Sequence, residues 1–195
     1  MVEAALELID RDGLAALSMR RLGAELGVEG MALYTHVRDK DDLLDAVAVR
    51  ILDELELDFD RTRPWQERIR RTALAWAGLQ ARHPRAFPLV YRPGTATDAP
   101  REVAEEMFDA LRTAGFSRRE TALAYQTIVN LLDGALLSRG ATTDADLQRA
   151  WREMADRNDP DAFPRYAEVA PEAATLTWAE TLDTALDLLL AGLER

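Results

Sequence analysis

Apolar residues recur at helical spacing along almost the whole chain, and this pattern restricts the fold more than any other feature of the sequence. It begins at once with Val2, Leu6 and Ile9, which are separated by acidic residues and followed by Gly13. Residues three and four positions apart share one face of an α-helix, so each such stripe predicts a helix with one buried side. We find no segment with the alternation of a β-strand and no internal repeat. The sequence therefore predicts an all-α protein.

Composition narrows the classes of function. Of the 195 residues, 48% are hydrophobic, which is enough for a buried core. No apolar run approaches the roughly 20 residues of a membrane span, and the first residues lack the pattern of a signal peptide, so we expect a cytoplasmic protein with no membrane partner. The chain has no cysteine, two histidines and no glycine-rich phosphate loop. We therefore predict no metal site, no cofactor and no enzymatic activity.

The N-terminal part of the chain predicts a helix-turn-helix motif. Ser18 is a suitable N-cap for a second helix that ends at Gly27, and a third helix runs from about Gly30 to Val37. Two short helices that are joined by a tight glycine-containing turn and braced by a preceding helix have this arrangement. Leu33 and Val37 point inward in the third helix, which leaves the following side chains outward: Met31, Ala32, Tyr34, Thr35 and His36.

The outward side chains of the third helix suit DNA. A major groove about 12 Å wide admits one helix, and small or flat side chains approach base edges closely. We expect Met31, Ala32 and Thr35 to pack on thymine methyl groups, and Arg20 to bind a guanine. Between positions 18 and 40 the formal charge is +1, although the whole chain carries −11. This balance favours a local DNA-binding surface with low nonspecific affinity.

A fourth helix and a break in the pattern suggest where the chain divides. The fourth helix, capped by Asp39, is expected to carry the buried seam Leu44, Val47, Ile51 and Leu55. Residues 58–64 interrupt the helical pattern and predict the joint between two parts of the molecule. We therefore expect a three-helix DNA-binding domain at residues 1–47, with a linking helix to about residue 57. A helical ligand-binding and dimerisation domain is expected at residues 48–195.

The second part of the chain also reads as helices. Its predicted elements are a helix from Trp65 to about His83, an irregular segment at 84–98 with at most one helical turn, helices at 100–115, 117–139 and 144–155, a polar connector at 156–171 and a strongly apolar final helix at 172–193. Ser117 and Glu120 have the spacing of a capping box. We interpret His83 as a cap that binds free backbone carbonyls, and we interpret two charged runs as solvated faces: Arg68, Arg70 and Arg71, and Glu105 with Glu106.

The run LSMRRLGAELGVEGMALYTHVRDKDDLLDAV, residues 17–47, resembles the DNA-binding domain of the TetR (tetracycline repressor) family. The Leu-Tyr-x-His-Val of the recognition helix, the Lys40 that follows it and the Leu-Leu opening of the fourth helix all match. The later helices are similar, more loosely, to the regulatory domain of the tetracycline-repressor subgroup. Trp65-Gln66, the Gly-Phe before Ser117 and the closing leucine-rich helix carry that similarity.

The resemblance implies an all-helical homodimer that binds a palindromic double-stranded operator and releases it when a small molecule enters each regulatory domain. It places Tyr34, His36 and Lys40 where family members contact phosphates. Gly30 and Thr35 stand where the tetracycline repressor has glutamine and tryptophan, so we expect both in the reading surface and a different operator. Family members also commonly carry a basic extension before the first helix, and that contact is expected to be either trimmed from this sequence or absent.

The ligand-binding half diverges from the tetracycline repressor, which binds its drug as a magnesium complex through histidine and acidic side chains. The matching positions here are Glu56, Thr72, Trp76, Met107 and Asn130, so we expect an effector other than tetracycline. We predict a cavity for a small, flat, mostly apolar molecule, lined by Thr72, Trp76, Phe87, Met107, Tyr125, Gln126 and Asn130. For the aromatic and methionine members the alternative is plain core packing, because such stripes are usually core.

The final helix has more apolar surface than one domain side requires, since Leu188 and Leu190 widen its leucine stripe. We expect it to form an isologous four-helix contact with the 117–139 helix across a two-fold axis. The predicted interface residues are Leu132, Leu136, Leu182, Leu186, Leu189 and Leu193. Such a dimer would set two recognition helices about 34–36 Å apart, which is one turn of duplex.

These observations favour a ligand-responsive transcriptional repressor. An activator on the same scaffold is an alternative that the sequence leaves open. The second alternative is a helical enzyme or small-molecule carrier without a DNA function. The chain offers no paired nucleophile and base for catalysis, which argues against the enzyme.

Overall fold

The protein is built from α-helices, as the sequence predicts. The computed structural model describes residues 1–93 and 97–194, and no β-strand occurs within them. The α-helices are α1 (Val2–Asp12), α2 (Met19–Leu26), α3 (Lys40–Leu52), α4 (Trp65–Arg82), α5 (Ala99–Thr113), α6 (Arg118–Arg139), α7 (Asp144–Asp156), α8 (Pro164–Ala173) and α9 (Trp178–Leu193). Three short 3₁₀ helices lie at Leu14–Ala16, Gly30–Thr35 and Phe87–Tyr91. The expectation of irregular chain at 84–98 falls partly on residues 94–96, which are outside the described residues.

Side-chain caps fix the starts of several helices. The Ser18 and Asp39 side chains accept hydrogen bonds from the backbone N–H groups of Arg21 and Asp42, as expected. At α6 the capping box is complete: the Ser117 N–H donates to Glu120 Oε2 at 2.7 Å, and the Glu120 N–H donates to Ser117 Oγ at 3.3 Å. Each cap satisfies backbone donors that a helix start otherwise leaves free.

Two element predictions in the C-terminal part were wrong. The connector expected at 156–171 contains most of α8, which begins at Pro164 and continues through Pro171. Proline fits the first turn of a helix because its missing N–H would be unpaired there, so Pro164 starts this helix and does not prevent it. The final helix begins at Trp178, later than expected, because Thr177 and Glu180 form a capping box there.

The chain divides into two compact units, Met1–Gly140 and a second unit that begins at Ala141. In the first unit, α1, α2, α3 and the Gly30–Thr35 segment bury one group of apolar side chains, and α4, α5 and α6 bury another. The first group includes Leu6, Ile9, Leu22, Leu43 and Ile51, and the second includes Ile69, Met107, Leu111 and Ile128. In the second unit, Trp151 of α7 stacks on Tyr166 of α8 with ring centroids 6.1 Å apart. The domain division at residue 47 stays a prediction.

Helix α3 ends earlier than the sequence predicts. α3 ends at Leu52, and Leu55, which was assigned to the buried seam, is only partly buried beyond the helix end. Between α3 and α4 the chain turns around Asp60, whose Oδ1 accepts hydrogen bonds from the Thr62 N–H at 3.0 Å and from Thr62 Oγ1 at 2.6 Å. This turn lies within the predicted joint at 58–64.

Arg68 and Glu106 are buried, which corrects the interpretation of their runs as solvated faces. Arg68 Nε lies 2.7 Å from Glu106 Oε1, and Arg68 Nη2 lies 2.7 Å from Asp109 Oδ2. The hydrogen bond to Glu106 raises the pKa of the Arg68 guanidinium above its ordinary value. Arg68 occupies the same face of α4 as buried Thr72, so it joins α4 to α5 inside the unit.

Candidate nucleic-acid interface and ligand cavity

Two glycines let α2 and the segment Gly30–Thr35 cross in backbone contact. A Cβ atom on Gly23 would lie 2.8 Å from the Gly30 nitrogen and 2.8 Å from the Val28 oxygen. A Cβ atom on Gly30 would lie 2.9 Å from the Met19 oxygen. Gly27 ends α2 in the left-handed conformation, with φ at 69°. The result is two short helices joined by a tight turn and braced by α1, as predicted.

The segment Gly30–Thr35, which we call the recognition segment, exposes the side chains that the sequence analysis placed outward. Met31 is 74% exposed and Tyr34 44% exposed, whereas Leu33 is 4% and Val37 7% exposed. Ala32, Thr35 and His36 are also exposed. The predicted orientation is therefore confirmed, and the contact of these residues with DNA stays a prediction.

Three details of the recognition segment were not foreseen. It is a 3₁₀ helix, tighter than the expected α-helix, so residues three apart are aligned along it. Thr35 Oγ1 donates a hydrogen bond to the Ala32 oxygen at 2.7 Å, which engages the hydroxyl proton within the segment. Gly30 packs against Met19 and Arg20 of α2, so the structure gives it a packing role. A DNA contact by the Gly30 backbone stays a prediction.

Most cations around the recognition segment are already paired. Arg21 pairs with Asp12, and Arg38 Nη2 lies 2.8 Å from Asp42 Oδ1. Lys40 Nζ donates to the Leu17 oxygen at 2.7 Å, a contact that ties the start of α3 to the chain before α2. Arg20 is exposed and has no ion-pair partner in the described part of the chain. Of these cations, Arg20 is the one left for a DNA base or phosphate, and the phosphate role of Lys40 stays a prediction.

His83 lies at the junction of α1, α3 and α4, but its side chain binds carboxylates where backbone carbonyls were expected. Nδ1 lies 2.6 Å from Asp10 Oδ2, and Nε2 lies 3.0 Å from Glu54 Oε2. Arg82 and Arg50 also pair with Glu54. Burial opposes ionisation of Glu54, yet the hydrogen bonds from His83, Arg82 and Arg50 lower the pKa of this carboxyl to about 2.

A mostly apolar cavity of about 190 Å³ lies among α4, α5, α6 and the Phe87–Tyr91 segment. Its lining residues are Trp76, Val90, Tyr91, Pro100, Val103, Met107, Tyr125, Val129, Leu132 and Asp133. The Tyr91 hydroxyl donates to Asp133 Oδ1 at 2.8 Å. Burial raises the pKa of Tyr91, and the neighbouring Asp133 charge raises it further. The same two causes raise the pKa of Tyr125.

The cavity contains three of the seven predicted effector-binding residues: Trp76, Met107 and Tyr125. Phe87 supports the wall from behind, with its ring edge-to-face against Trp76 at 6.1 Å. The Thr72 hydroxyl donates to the Arg68 oxygen in its own helix, while Gln126 and Asn130 are exposed and hydrogen-bonded to each other at 3.0 Å. The lining therefore lacks these three polar groups, and the role of all seven in effector binding stays a prediction.

The sequence analysis missed the polar part of the cavity, Tyr91 and Asp133. Asp133 lies on α6 one residue after Leu132, and three residues after the exposed Asn130 that was chosen in its place. A 22-residue helix has several faces, and periodicity alone did not show which of them meets α4 and α5. Tyr91 lies in the proline-containing stretch where no helix register was available.

A second, larger depression of about 490 Å³ is lined by Glu54, Glu56, Leu74, Ala75, Gly78 and Arg82. Three of its six lining residues are charged, and two of them, Glu54 and Arg82, are paired with each other at 3.0 Å. Ligand sites are typically apolar with few convergent polar groups, so the smaller cavity is the better candidate.

Arg92 connects the cavity wall to α3. This residue directly follows the Phe87–Tyr91 segment, and its Nε lies 2.9 Å from Asp45 Oδ1 while Nη2 lies 2.9 Å from Asp41 Oδ1. Asp41 and Asp45 lie on α3, the helix that follows the recognition segment. A displacement of Tyr91 by a bound molecule would therefore act on α3 through one adjacent residue.

Four of the six predicted dimer-interface leucines are buried within the chain itself. Leu132, Leu136, Leu182 and Leu186 are 0–4% exposed. Leu189 and Leu193 are partly exposed, and Leu188, which was not among the six, is 72% exposed. The apolar stripe of α9 is thus mainly core, because Leu182, Leu186 and Leu190 share its buried face.

The fold and this surface define a helix-turn-helix DNA-binding protein with a separate, mostly apolar cavity. The chain matches the model of "Bacterial regulatory proteins, tetR family" over residues 1–47 and that of "Tetracyclin repressor-like, C-terminal domain" over residues 60–195. It belongs to the TetR family of transcriptional regulators.

Individual relatives agree with this assignment. The tetracycline repressor protein class A from transposon 1721, from Escherichia coli, is 32% identical over 83% of this chain and 82% of its own length. A solved structure from Streptomyces coelicolor A3(2), described as a possible TetR family transcriptional regulator, superposes with a TM-score of 0.83 over 98% of this chain and 96% of its own, at 27% identity. The structure of BioQ with its double-stranded DNA operator superposes with a TM-score of 0.63 over 72% of this chain and 86% of its own, at 31% identity.

No helix in the described part of the chain is long and apolar enough to cross a membrane.

Proposed function

We propose that this regulator is a ligand-responsive repressor that binds a palindromic operator as a homodimer and is released by a small, mostly apolar effector. The observation that carries the proposal is the recognition segment, where Met31, Tyr34 and Thr35 are exposed while Leu33 anchors the segment in the core. Exposed apolar and aromatic side chains on a short helix are unfavourable in water and suit base edges and sugar-phosphate. The operator complex of BioQ, which shares the fold, supports the same use here.

The ligand response is supported by the cavity and by its connection to the DNA-binding part. The cavity wall includes Tyr91, and the adjacent Arg92 pairs with two carboxylates of α3. A ligand that binds one conformation of this wall more tightly shifts the population of α3 positions. A few kcal/mol of relative affinity for the two states is enough for such a switch.

Dimerisation is supported by the apolar surface that remains on α6 and α9. Leu123 and Leu137 of α6 are 57% and 48% exposed, and Leu188 of α9 is 72% exposed. Leu132, Leu136, Leu182 and Leu186 are buried and leave the proposed contact. In their place we propose Leu123 and Leu137 on α6 and, on α9, Leu188 with the partly exposed Leu189 and Leu193. A two-fold axis is needed because two half-sites of a palindrome present the same contacts twice.

The test is a gel shift on the DNA that flanks the protein's own coding region, together with sedimentation equilibrium. We expect a palindrome to be bound at moderate salt by a species of twice the chain mass. Tyr34→Ala should weaken binding to all operator variants alike, while Thr35→Ser should change the preference at one base pair in each half-site. Thr35→Ser keeps the hydroxyl and removes the methyl group that we assign to thymine contact.

Three outcomes would count against the proposal: no bound palindrome, a protein of single-chain mass, or equal effects of Thr35→Ser on every base variant. Reporter expression in a deletion strain gives the sign of regulation. Higher expression after deletion is expected for a repressor, and lower expression would identify an activator.

A further inference from the structure

We infer that the cavity selects a cationic aromatic ligand, with a single ring and an ammonium group placed against the Asp133 carboxylate. This inference rests on the proposed function in one respect, since it takes the cavity to be the effector site. It names the charge and size of the effector, which the family and its fold leave open.

The formal charge on the described cavity wall is negative and comes from Asp133. Among the lining residues that the structure describes, Asp133 is the one with a formal charge, and neither lysine nor arginine lines the cavity. Asp133 has no cationic partner in the described part of the chain, and the Tyr91 hydroxyl is its hydrogen-bond donor. A carboxylate on a partly buried apolar wall is stabilised most by a charged donor, so a ligand cation supplies what the protein does not.

The aromatic rings around Asp133 suit the same ligand. Trp76, Tyr91 and Tyr125 all line the cavity. Their ring faces carry negative electrostatic potential and attract an ammonium or a methylated ammonium group. Burial is the main cause that raises the pKa of Tyr91 and of Tyr125, and the nearby Asp133 charge raises both further.

The same arrangement disfavours anions and large ligands. An anionic ligand would place its charge beside the like charge of Asp133. The cavity volume of about 190 Å³ is below the roughly 300–1,000 Å³ of pockets for drug-sized molecules. A ligand with one aromatic ring, or the single-ring end of a larger one, fits this volume.

Isothermal titration calorimetry of the full chain, without DNA, tests the inference with three probes of similar shape. They are 2-phenylethylammonium, the neutral 2-phenylethanol and the anionic phenylacetate, at neutral pH. We expect the cation to bind at least about tenfold more tightly than the alcohol, and phenylacetate to bind most weakly. This comparison uses the unmodified protein and does not depend on the folding of any variant.

Asp133→Asn removes the charge and keeps the shape. We expect it to weaken binding of 2-phenylethylammonium about tenfold to a hundredfold and to change binding of 2-phenylethanol by less than about twofold. Glu105→Gln is the matched control, because it makes the same change in net charge at an exposed position of α5 outside the cavity. It should leave all three affinities unchanged.

The inference is overturned if the alcohol or phenylacetate binds as tightly as the cation, if Glu105→Gln has the effect of Asp133→Asn, or if no probe binds at millimolar concentration. DNA binding is measured separately. Cation selectivity without operator binding would reject the proposed function and keep this inference, whereas operator binding without selectivity would do the reverse.

Discussion

The Arg68 guanidinium and the Glu106 carboxylate lie inside the first unit, each with a side chain only 2% exposed. Two charges so far from water are tolerated because they pair at 2.7 Å and because Asp109, at the edge, accepts a second hydrogen bond. A buried pair adds little net stability relative to apolar residues, since both ions lose hydration. The free energy of unfolding falls strongly only when one partner of the pair is removed and the other stays buried.

Arg68→Met should therefore lower the free energy of unfolding by about 3–5 kcal/mol, because it leaves Glu106 buried without a cation. Urea denaturation at pH 7 measures this. Arg71→Met, three residues away, is the control: Arg71 pairs with Asp58 at 2.6 Å but is 45% exposed, so its loss should cost less than about 1 kcal/mol. The double variant Arg68→Met/Glu106→Leu should regain most of the stability, and its failure to do so would contradict this account.

The lowered pKa of Glu54 makes the stability of the fold decrease as the pH falls. Its pKa falls from 4.5 in the unfolded chain to about 2 in the folded protein, so the ionised carboxylate stabilises the fold above pH 4.5. That contribution is lost as the pH falls from 4.5 towards 2. We expect Glu54→Gln to remove up to about 3 kcal/mol of this pH-dependent stability.

Denaturation curves between pH 6 and about pH 2 check the prediction for Glu54. The wild type should lose stability more steeply than Glu54→Gln across this window. Glu56→Gln, at an exposed neighbouring position, should follow the wild-type curve. Parallel curves for the wild type and Glu54→Gln would show that the network with His83, Arg82 and Arg50 does not act on this carboxyl.

At the scale of the element, the position of the recognition segment depends on contacts inside the protein. Gly23 and Gly30 allow backbone contact, Gly27 ends α2, and Lys40 holds the start of α3 against Leu17. These contacts fix the position of the exposed side chains of the recognition segment. A substitution that disrupts these contacts should therefore weaken binding to every operator sequence equally.

Gly23→Ala should disrupt the crossing, because its Cβ atom would lie 2.8 Å from two backbone atoms that cannot move independently. We expect loss of operator binding and a destabilised N-terminal part, measured by gel shift and by hydrogen exchange of residues 19–37. Gly78→Ala in α4 is the control. Its Cβ atom would meet the flexible end of Arg82 at 3.4 Å, so the change should stabilise the helix by about 0.5–1 kcal/mol. Normal operator binding by Gly23→Ala would refute the packing role.

All of the α-helices except α8 were predictable, because most of their signals are local. Ser18, Gly27, Asp39 and Ser117 satisfy or relax backbone groups within four residues of themselves, so the sequence alone identifies them. The 3₁₀ geometry of the recognition segment was not predictable in this way. It depends on the close crossing with α2, which is a tertiary contact.

At the scale of the whole molecule, the family, the all-α fold and the outward surface of the recognition segment could be predicted, whereas the cavity could not. Trp76 and Met107 could be placed because helical spacing puts each on the inward stripe of its own helix. Tyr91 and Asp133 were missed because their meeting depends on how α4, α5 and α6 pack. The burial of Leu182 and Leu186 was missed for the same reason.

Communication between the cavity and the DNA-binding part should depend on Arg92. In Arg92→Met, 2-phenylethylammonium should bind the cavity as in the wild type but no longer change hydrogen exchange in Lys40–Leu52, because the pairs with Asp41 and Asp45 are gone. Arg119→Met, at an exposed position of α6, is the control and should retain the change. An unaltered response of α3 in Arg92→Met would mean that the signal takes another route.

The ion pairs of Arg21 with Asp12 and of Arg38 with Asp42 have a consequence for how operator occupancy responds to ionic strength. Each phosphate neutralised by a protein cation releases condensed counterions, and the slope of log K against log salt counts those phosphates. Arg21 and Arg38 release fewer, because Asp12 and Asp42 already offset their charges. Occupancy of the operator should consequently decline gently as salt rises, so that changes in ionic strength disturb this regulator less than they disturb proteins with an unpaired basic surface.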